Sequence, residues 1–188
     1  QRDSQAERYL LVDGYNIIFA WDDLRQLARE NIESARGRLM DVLCDYQGFH
    51  RCTVILVFDA YRVEGGQGSV QKYHNIHVVY TKEAETADQY IEKTVHKIGR
   101  KNQVTVATSD ALEQVIIYGQ GARRMSAREL MEEVEQTRQQ VREAWEKKRE
   151  SDRNYLFDHA DENLVRWAEG MRLGKDSGDG GGSGSGMG

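Results

Sequence analysis

Residues 53–59 read TVILVFD, a run of apolar and β-branched side chains that ends in an aspartate. A short run of this kind, without alternating polar residues, is typical of a strand covered on both faces in a parallel sheet. Three further segments share this character: residues 9–12 (YLLV), 76–80 (IHVVY) and 104–107 (VTVA). The sequence therefore predicts four buried strands in one mainly parallel sheet.

Segments with helical patterns alternate with these strands, at residues 32–48, 87–98 and 111–118. This alternation predicts an α/β domain of three layers, in which right-handed crossovers place helices on both faces of the sheet. A longer charged helix is predicted to begin after Ser126, where the sequence matches a capping box, and to end near residue 149. A glycine-rich loop is expected at residues 64–69.

The sequence pattern also predicts how the chain is divided into a domain, an extension and a tail. We expect residues 8–150 to form the α/β domain and residues 151–173 to form a separate C-terminal helical extension. Residues 174–188 are rich in glycine and serine, so we expect a flexible tail there.

Composition limits the class of protein. The chain has 188 residues, 39% of them hydrophobic, which suits one domain with a real core. Of the net charge of −5, the 8 acidic and 4 basic residues from Glu150 onward contribute −4, so the rest is nearly neutral and gives no sign of a nucleic-acid binder. No run approaches the roughly 18 apolar residues of a membrane helix, and no signal peptide is recognisable. Cys44 and Cys52 lack the spacing of a disulfide framework, so we expect a reducing, cytoplasmic setting.

Acidic residues follow the ends of the predicted strands. Asp13 directly follows the first strand, Asp59 the second, and Asp110 comes shortly after the fourth. Asp88 lies beyond the third strand, with Glu85 close by. Because an open parallel sheet binds ligands outside the carboxyl ends of its strands, we expect the four aspartates to converge.

Clustered carboxylates repel one another unless a cation lies among them. Mg²⁺ or Mn²⁺, which prefer oxygen ligands, are the expected cofactors, with Asp13, Asp59, Asp88 and Asp110 as ligands and catalytic residues. Such an ion activates a water molecule and stabilises the negative charge on the phosphoryl oxygens while the water displaces the leaving group. The pattern therefore predicts phosphodiester hydrolysis.

Each of these residues taken alone also fits an ordinary structural role. Asp13 before a glycine is typical of a turn, and Asp110 after a serine is typical of a helix cap. Asp88 falls in the first turn of a predicted helix, where any acid is favoured. The recurrence of acids at the same place after several strands is what favours a functional site.

Five segments occur together in the order of a known family: LLVDGYNII (10–18), VILVFDAY (54–61), VVYTKEAETADQYIEK (78–93), VTVATSD (104–110) and GQGARRMSARELMEEV (119–134). They resemble the YacP-like NYN proteins, a branch of the PIN-like nuclease superfamily. The resemblance implies a three-layer PIN-like fold and a metal-dependent endoribonuclease. It further implies that the substrate is mRNA, cut in connection with the translating ribosome.

The resemblance also implies roles for single residues. Asp13 and Asp88 match the central acids of the family, and Asp59 and Asp110 complete the pocket. Asn16 matches the asparagine of the opening motif and is expected to orient a ligand or a loop.

Two further residues are expected to lie next to the direct metal ligands without binding the ion themselves. Glu85 matches an acid just before Asp88, and Ser109 directly precedes Asp110.

RNA binding requires positive charge and, for a single strand, flat surfaces for stacking. The candidates for substrate binding are Tyr15, Asn16, Arg62, Lys82, Arg123, Arg124 and Arg128. Exposed arginines are commonly only solvated and tyrosines are commonly packed, so among these the Arg123 and Arg124 pair is favoured.

Two other functions remain open. The chain is alternatively a non-catalytic RNA- or ribosome-binding module that retains the PIN-like fold. A phosphotransfer domain is the third hypothesis, but a haloacid-type phosphatase needs an aspartate where Tyr15 stands. A response receiver usually has adjacent acids where this chain has Gly14.

Overall fold

The computed structural model describes residues 5–60, 67–110 and 121–176. In chain order the elements are β1 (Arg8–Asp13), α1 (Gly14–Ala20), α2 (Asp22–Glu30), α3 (Ile32–His50), β2 (Thr53–Phe58), β3 (Gln67–Tyr73), β4 (Ile76–Lys82), α4 (Ala87–Ile98), β5 (Gln103–Ala107), β6 (Arg123–Met125) and α5 (Ala127–Asp176). The chain divides into two compact units, residues 1–139 and 140–188. No helix in the described ranges is both long and apolar enough to cross a bilayer.

The strands of the first unit form one sheet in the order β3-β4-β2-β1-β5-β6. All neighbours are parallel except β3, which runs antiparallel to β4. In the centre, Val12 of β1 lies opposite Leu56 of β2 and Ala107 of β5. Parallel strands in register end at the same side of the sheet, so the ends of β1, β2, β4 and β5 lie along one border, here called the carboxyl edge.

Alternate residues of each central strand pack on opposite faces of the sheet, as the two-residue period of a strand requires. In β1, Leu10 and Val12 belong to a core cluster shared with α1, α2, α3 and α5, whereas Leu11 packs with Ile91 and Val95 of α4. Burial of each such side chain contributes about 1.5–3 kcal/mol. Helices therefore cover both faces, and the predicted three-layer α/β fold with a mainly parallel sheet is confirmed.

The four predicted strands correspond to β1, β2, β4 and β5, but several elements were not predicted. Strand β3 begins at Gln67, so the expected loop at residues 64–69 is partly a strand, and residues 64–66 lie outside the described ranges. Strand β6 has only three residues, and helices α1 and α2 fill the segment between β1 and α3. The helix predicted at residues 111–118 also lies outside the described ranges.

Helix α5 is longer than predicted. It begins after Ser126, whose Oγ accepts a hydrogen bond from the backbone N of Glu129 at 3.1 Å, as a capping serine does. It then continues without interruption through Asp176. The expected break between a helix ending near residue 149 and a separate one at 155–173 is therefore wrong. Residues 150–154 (ESDRN) are polar but contain neither proline nor glycine, so nothing in them ends a helix.

Candidate active site at the carboxyl edge

Asp13 is the last residue of β1 and is only 5% exposed. Although it precedes α1, its side chain does not cap that helix. Gly14 follows it because the chain passes very close to β2: a Cβ at Gly14 would lie 2.3 Å from Cε1 of Phe58 and 3.0 Å from the carbonyl oxygen of Val57. The local sequence therefore fixes the Asp13 carboxyl group beside the end of β2.

Asp59 directly follows β2 and contacts the start of α4. Its Oδ1 accepts a hydrogen bond from the backbone N of Ala87 at 2.5 Å. The next residue, Ala60, donates its backbone N–H to Oγ1 of the buried Thr81 in β4 at 3.1 Å. These bonds hold the ends of β2 and β4 and the first turn of α4 together, and Asp88 lies in that turn.

Asp88 is exposed and makes no hydrogen bond or ion pair with any residue in the described ranges. Helix α4 is capped by Thr86 and Gln89 in a reciprocal capping box, so Asp88 is not needed as a cap. Glu85 instead forms an ion pair with Nζ of Lys93 at 3.1 Å. Of Glu85 and Asp88, it is therefore Asp88 whose carboxylate is available to a ligand.

Asn16 connects α1 to the segment after β5. Its Oδ1 accepts a hydrogen bond from the backbone N of Ser109 at 2.5 Å and a shorter one from the Ser109 hydroxyl. The backbone N of Asp110 donates to Oγ1 of the fully buried Thr108 at 3.1 Å. Asn16 thus holds the segment that carries Asp110 beside the end of β1.

In the part of the chain that the structure describes, the side chains do not form a complete metal cage. Within residues 5–60, 67–110 and 121–176, no three or more His, Cys, Asp and Glu side chains are grouped so as to hold a metal ion. The roles of Asp13, Asp59, Asp88 and Asp110 as metal ligands and catalytic residues therefore stay a prediction, and one carboxylate oxygen of Asp59 is engaged with the N-terminus of α4. Mg²⁺ typically takes only one or two direct carboxylates and several waters, so the oxygen donors at this edge still fit such an ion.

Tyr15 lies inside the protein, so the expectation that it stacks on a base is wrong. Its ring packs against Phe58, with centroids 5.0 Å apart, and Nη1 of Arg36 donates to its hydroxyl at 3.1 Å. Arg36 is itself buried, and its Nη2 lies 3.7 Å from Glu33. This buried cation was not predicted. The sequence did contain a signal, because Arg36 lies three residues before Leu39 and seven before Leu43, on the apolar face of α3.

The basic candidates do not all lie together. Lys82 ends β4 and is exposed at the carboxyl edge, whereas Arg128 is paired with Glu132 at 3.3 Å. Arg123 and Arg124 are exposed on β6 opposite the middle of β5, and as consecutive strand residues they point to opposite faces. The pair therefore does not act from one surface. Arg62 lies outside the described ranges.

Arg123 instead lines a cleft of about 510 Å³ near the amino ends of β1 and β5. Other residues of this cleft are Arg8, Tyr46, His50 and Glu133. The Tyr46 hydroxyl donates to Glu133 at 2.6 Å, and burial together with that carboxylate raises the pKa of Tyr46 well above its ordinary value. The cleft lies at the opposite end of the strands from Asp13, so it is separate from the acidic site.

Comparison with known proteins identifies the family of this chain. The family described as YacP-like NYN domain matches residues 10–172. YacP of Bacillus subtilis (strain 168) is 48% identical over 127 residues, which are 67% of this chain and 74% of that protein.

Two solved structures are also similar. The crystal structure of Rae1 (YacP) from Bacillus subtilis has a TM-score of 0.67 and 39% identity, covering 89% of this chain and 97% of that one. A tryptophan-to-leucine mutant of the same protein has a TM-score of 0.64 and 42% identity, covering 72% of this chain and 80% of that one. The matched region of the family continues along α5 as far as residue 172.

Proposed function

The chain belongs to the YacP-like NYN domain family of PIN-like nucleases, and we propose that it is a metal-dependent endoribonuclease that hydrolyses phosphodiester bonds in RNA. The observation that carries the proposal is the placement of Asp13 and Asp88 at the same edge of the sheet. Asp13 is buried at the end of β1, and the bond from Ala87 to Asp59 anchors the turn that carries Asp88. We propose mRNA, cut in connection with the translating ribosome in the cytoplasm, as the substrate.

The proposal gives each polar residue of the edge a separate task. Asp13, Asp88 and Asp110 would hold a Mg²⁺ or Mn²⁺ ion, which when bound lowers the pKa of a water and stabilises charge on phosphoryl oxygens. Asp59 orients the first turn of α4 through Ala87 and so acts as a positioning residue. Asn16 orients the Asp110 segment through Ser109 in the same way.

RNA would approach this edge from the solvent side. Asp88 is exposed there, and Lys82 offers an exposed cation with no ion pair in the described ranges. Single-stranded RNA suits the site because its backbone can reach the carboxyl edge without a duplex first having to be opened.

The test is to incubate the full chain with an mRNA in Mg²⁺, in Mn²⁺ or in EDTA, with and without ribosomes, and to map the ends produced. We expect internal cuts that require the metal, and we expect Asp13→Asn and Asp88→Asn to abolish them. Asp23→Asn is the matched control, since Asp23 is also an exposed acid in the first turn of a helix. Full activity in both Asp13→Asn and Asp88→Asn would contradict the proposal.

One observation favours the second candidate, a non-catalytic RNA- or ribosome-binding module. No three metal-binding side chains are grouped within the described ranges. Binding of RNA without cleavage at any Mn²⁺ concentration, together with unchanged binding in Asp88→Asn, would support that module and exclude the nuclease.

A further inference from the structure

The C-terminal part of helix α5 carries a stripe of apolar side chains that are exposed to solvent. Its large residues are Phe157, Leu164, Trp167 and Met171, which are 72%, 62%, 61% and 56% exposed. Exposed apolar surface of this extent is uncommon on a monomer and marks an interaction site. The stripe lies inside the region that matches the family, which extends to residue 172.

The spacing of the stripe is that of a helix-pairing surface. Phe157, Ala160, Leu164, Trp167 and Met171 follow one another at intervals of three, four, three and four residues. These are the a and d positions of a heptad repeat, at which one helix packs its side chains against another. The partner indicated by the spacing is therefore an α-helix.

Apart from Trp167, whose symmetric position is Asp161, small and apolar residues are placed symmetrically about Leu164. Phe157 and Met171 lie seven residues to either side of Leu164, and Ala160 and Ala168 lie four residues to either side. In an antiparallel pair of identical helices, Leu164 would meet its own copy and each Phe157 would meet a Met171. This is the pattern of a two-fold interface, in which residue i contacts j and j contacts i.

We propose that the stripe binds a second copy of this chain, with the two α5 helices antiparallel and crossing at Leu164. The residues beside the stripe suit such a pair, because Asn163, Ala168 and Gly170 are uncharged and Asp161 lies opposite the uncharged Trp167 of the other copy. No like charges are therefore brought together along the interface.

Charge and area favour a helix over RNA as the occupant. Residues 155–173 contain four acidic and two basic side chains, a net of −2, which repels phosphate. A fully exposed aromatic side chain offers about 150–250 Å², so the stripe offers on the order of 500 Å² per copy. A standard interface buries about 600–1,000 Å² per partner, which the flanking residues of two such helices bring within reach.

The first experiment measures the mass of the full chain by light scattering during size-exclusion chromatography, over a wide range of concentration. We expect a dimer of twice 21.6 kDa that dissociates on dilution. Leu164→Glu should raise the dissociation constant at least about a hundredfold, because two carboxylates would be buried face to face. Trp167→Glu should act in the same direction.

Leu173→Glu is the matched control. Leu173 is 66% exposed but lies on the opposite side of the helix from the stripe, so the same change should leave the dimer intact. Glutamate is a good helix former, and far-UV circular dichroism should show equal helix content in all three variants.

Orientation is tested with cysteines introduced into the stripe. Under a mild oxidant Leu164→Cys should cross-link to itself, whereas Phe157→Cys should cross-link to Met171→Cys in a mixture and not to itself. The unmodified chain, with Cys44 and Cys52, gives the background.

Two results would overturn the proposal. One is a dimer that Leu164→Glu and Leu173→Glu affect equally. The other is a monomer at every concentration, and if that monomer also lost binding to ribosomes in Leu164→Glu, the stripe would be assigned to a different partner.

Discussion

Gly14 and Gly37 lie in surroundings that predict opposite effects of the same substitution. Gly14→Ala would place a Cβ 2.3 Å from the Phe58 ring, beside the chain that leads to Asp59. We expect it to lower the free energy of unfolding by about 1–3 kcal/mol, as overpacking does. Gly37 lies within α3 with nothing within 4 Å of an added Cβ, so Gly37→Ala should raise that free energy by about 0.5–1 kcal/mol.

Urea unfolding of both variants and of the unmodified protein measures the two changes. A Gly14→Ala protein as stable as the parent would mean that the Phe58 ring moves aside freely. The contact between the start of α1 and the end of β2 would then not fix Asp13 as we infer.

At the scale of residues, the positions of the acidic residues in the sheet could be predicted from the sequence, whereas their hydrogen-bond partners could not. Strand order and direction place Asp13, Asp59 and Asp110 at one edge, and those follow from connectivity rules. The bond from Ala87 to Asp59 depends on how the α4 turn approaches β2, which no local pattern encodes. In the same way, the buried hydroxyl of Tyr15 finds its hydrogen-bond donor in Arg36, a residue 21 positions away.

At the scale of elements, the predictable strands are those covered on both faces. Strand β2 was placed at the residues where it occurs, because its TVILVF run has no polar interruption. Strands β3 (QGSVQKY) and β6 (RRM) lie at the sheet borders, where solvent permits polar side chains and removes the apolar signal. Their pairing is set by β4 and β5 rather than by their own composition.

His50 links two elements and predicts a dependence of stability on pH. Its ring stacks on Tyr46, with centroids 4.1 Å apart, and its Nε2 lies 3.0 Å from Oγ1 of Thr137 in α5. The Thr137 hydroxyl donates its own proton to the Glu133 carbonyl, so the His50 Nε2 carries the hydrogen of this bond. Burial lowers the pKa of His50 below 6.5, which favours the neutral ring in the folded protein.

The unfolded chain therefore takes up this proton at a higher pH than the folded one. The contribution of His50 to stability is present above pH 6.5 and is lost as the pH falls from there toward the folded pKa. Urea unfolding from about pH 7.5 to about pH 5.5 should show falling stability, and His50→Gln should flatten that slope. Equal slopes in the two proteins would contradict this assignment.

At the scale of the whole molecule, the net charge of −5 opposes RNA, so any binding must come from local cations. Lys82 and Arg124 are exposed and make no ion pair in the described ranges. If RNA binds at the carboxyl edge and continues along β6, each should neutralise one phosphate. Replacing either with glutamine should then reduce the slope of log K against log salt concentration by about 0.7 for a single strand.

Fluorescence anisotropy with a labelled single-stranded RNA at several salt concentrations measures these slopes. Arg29→Gln is the control, because Arg29 is an exposed arginine in the last turn of α2 and has no ion pair in the described ranges. Identical slopes in all variants would mean that the phosphates lie elsewhere on the protein.

The position of β2 between β4 and β1 has a consequence for aggregation. TVILVF is a six-residue segment of high β-propensity without charge or proline, the composition of fibril-forming peptides. In the native sheet both of its hydrogen-bonding borders are occupied, while the outermost strands present Lys72 on β3 and two arginines on β6 to any incoming chain. Amyloid-like growth of this protein should therefore begin only from molecules whose sheet has already opened.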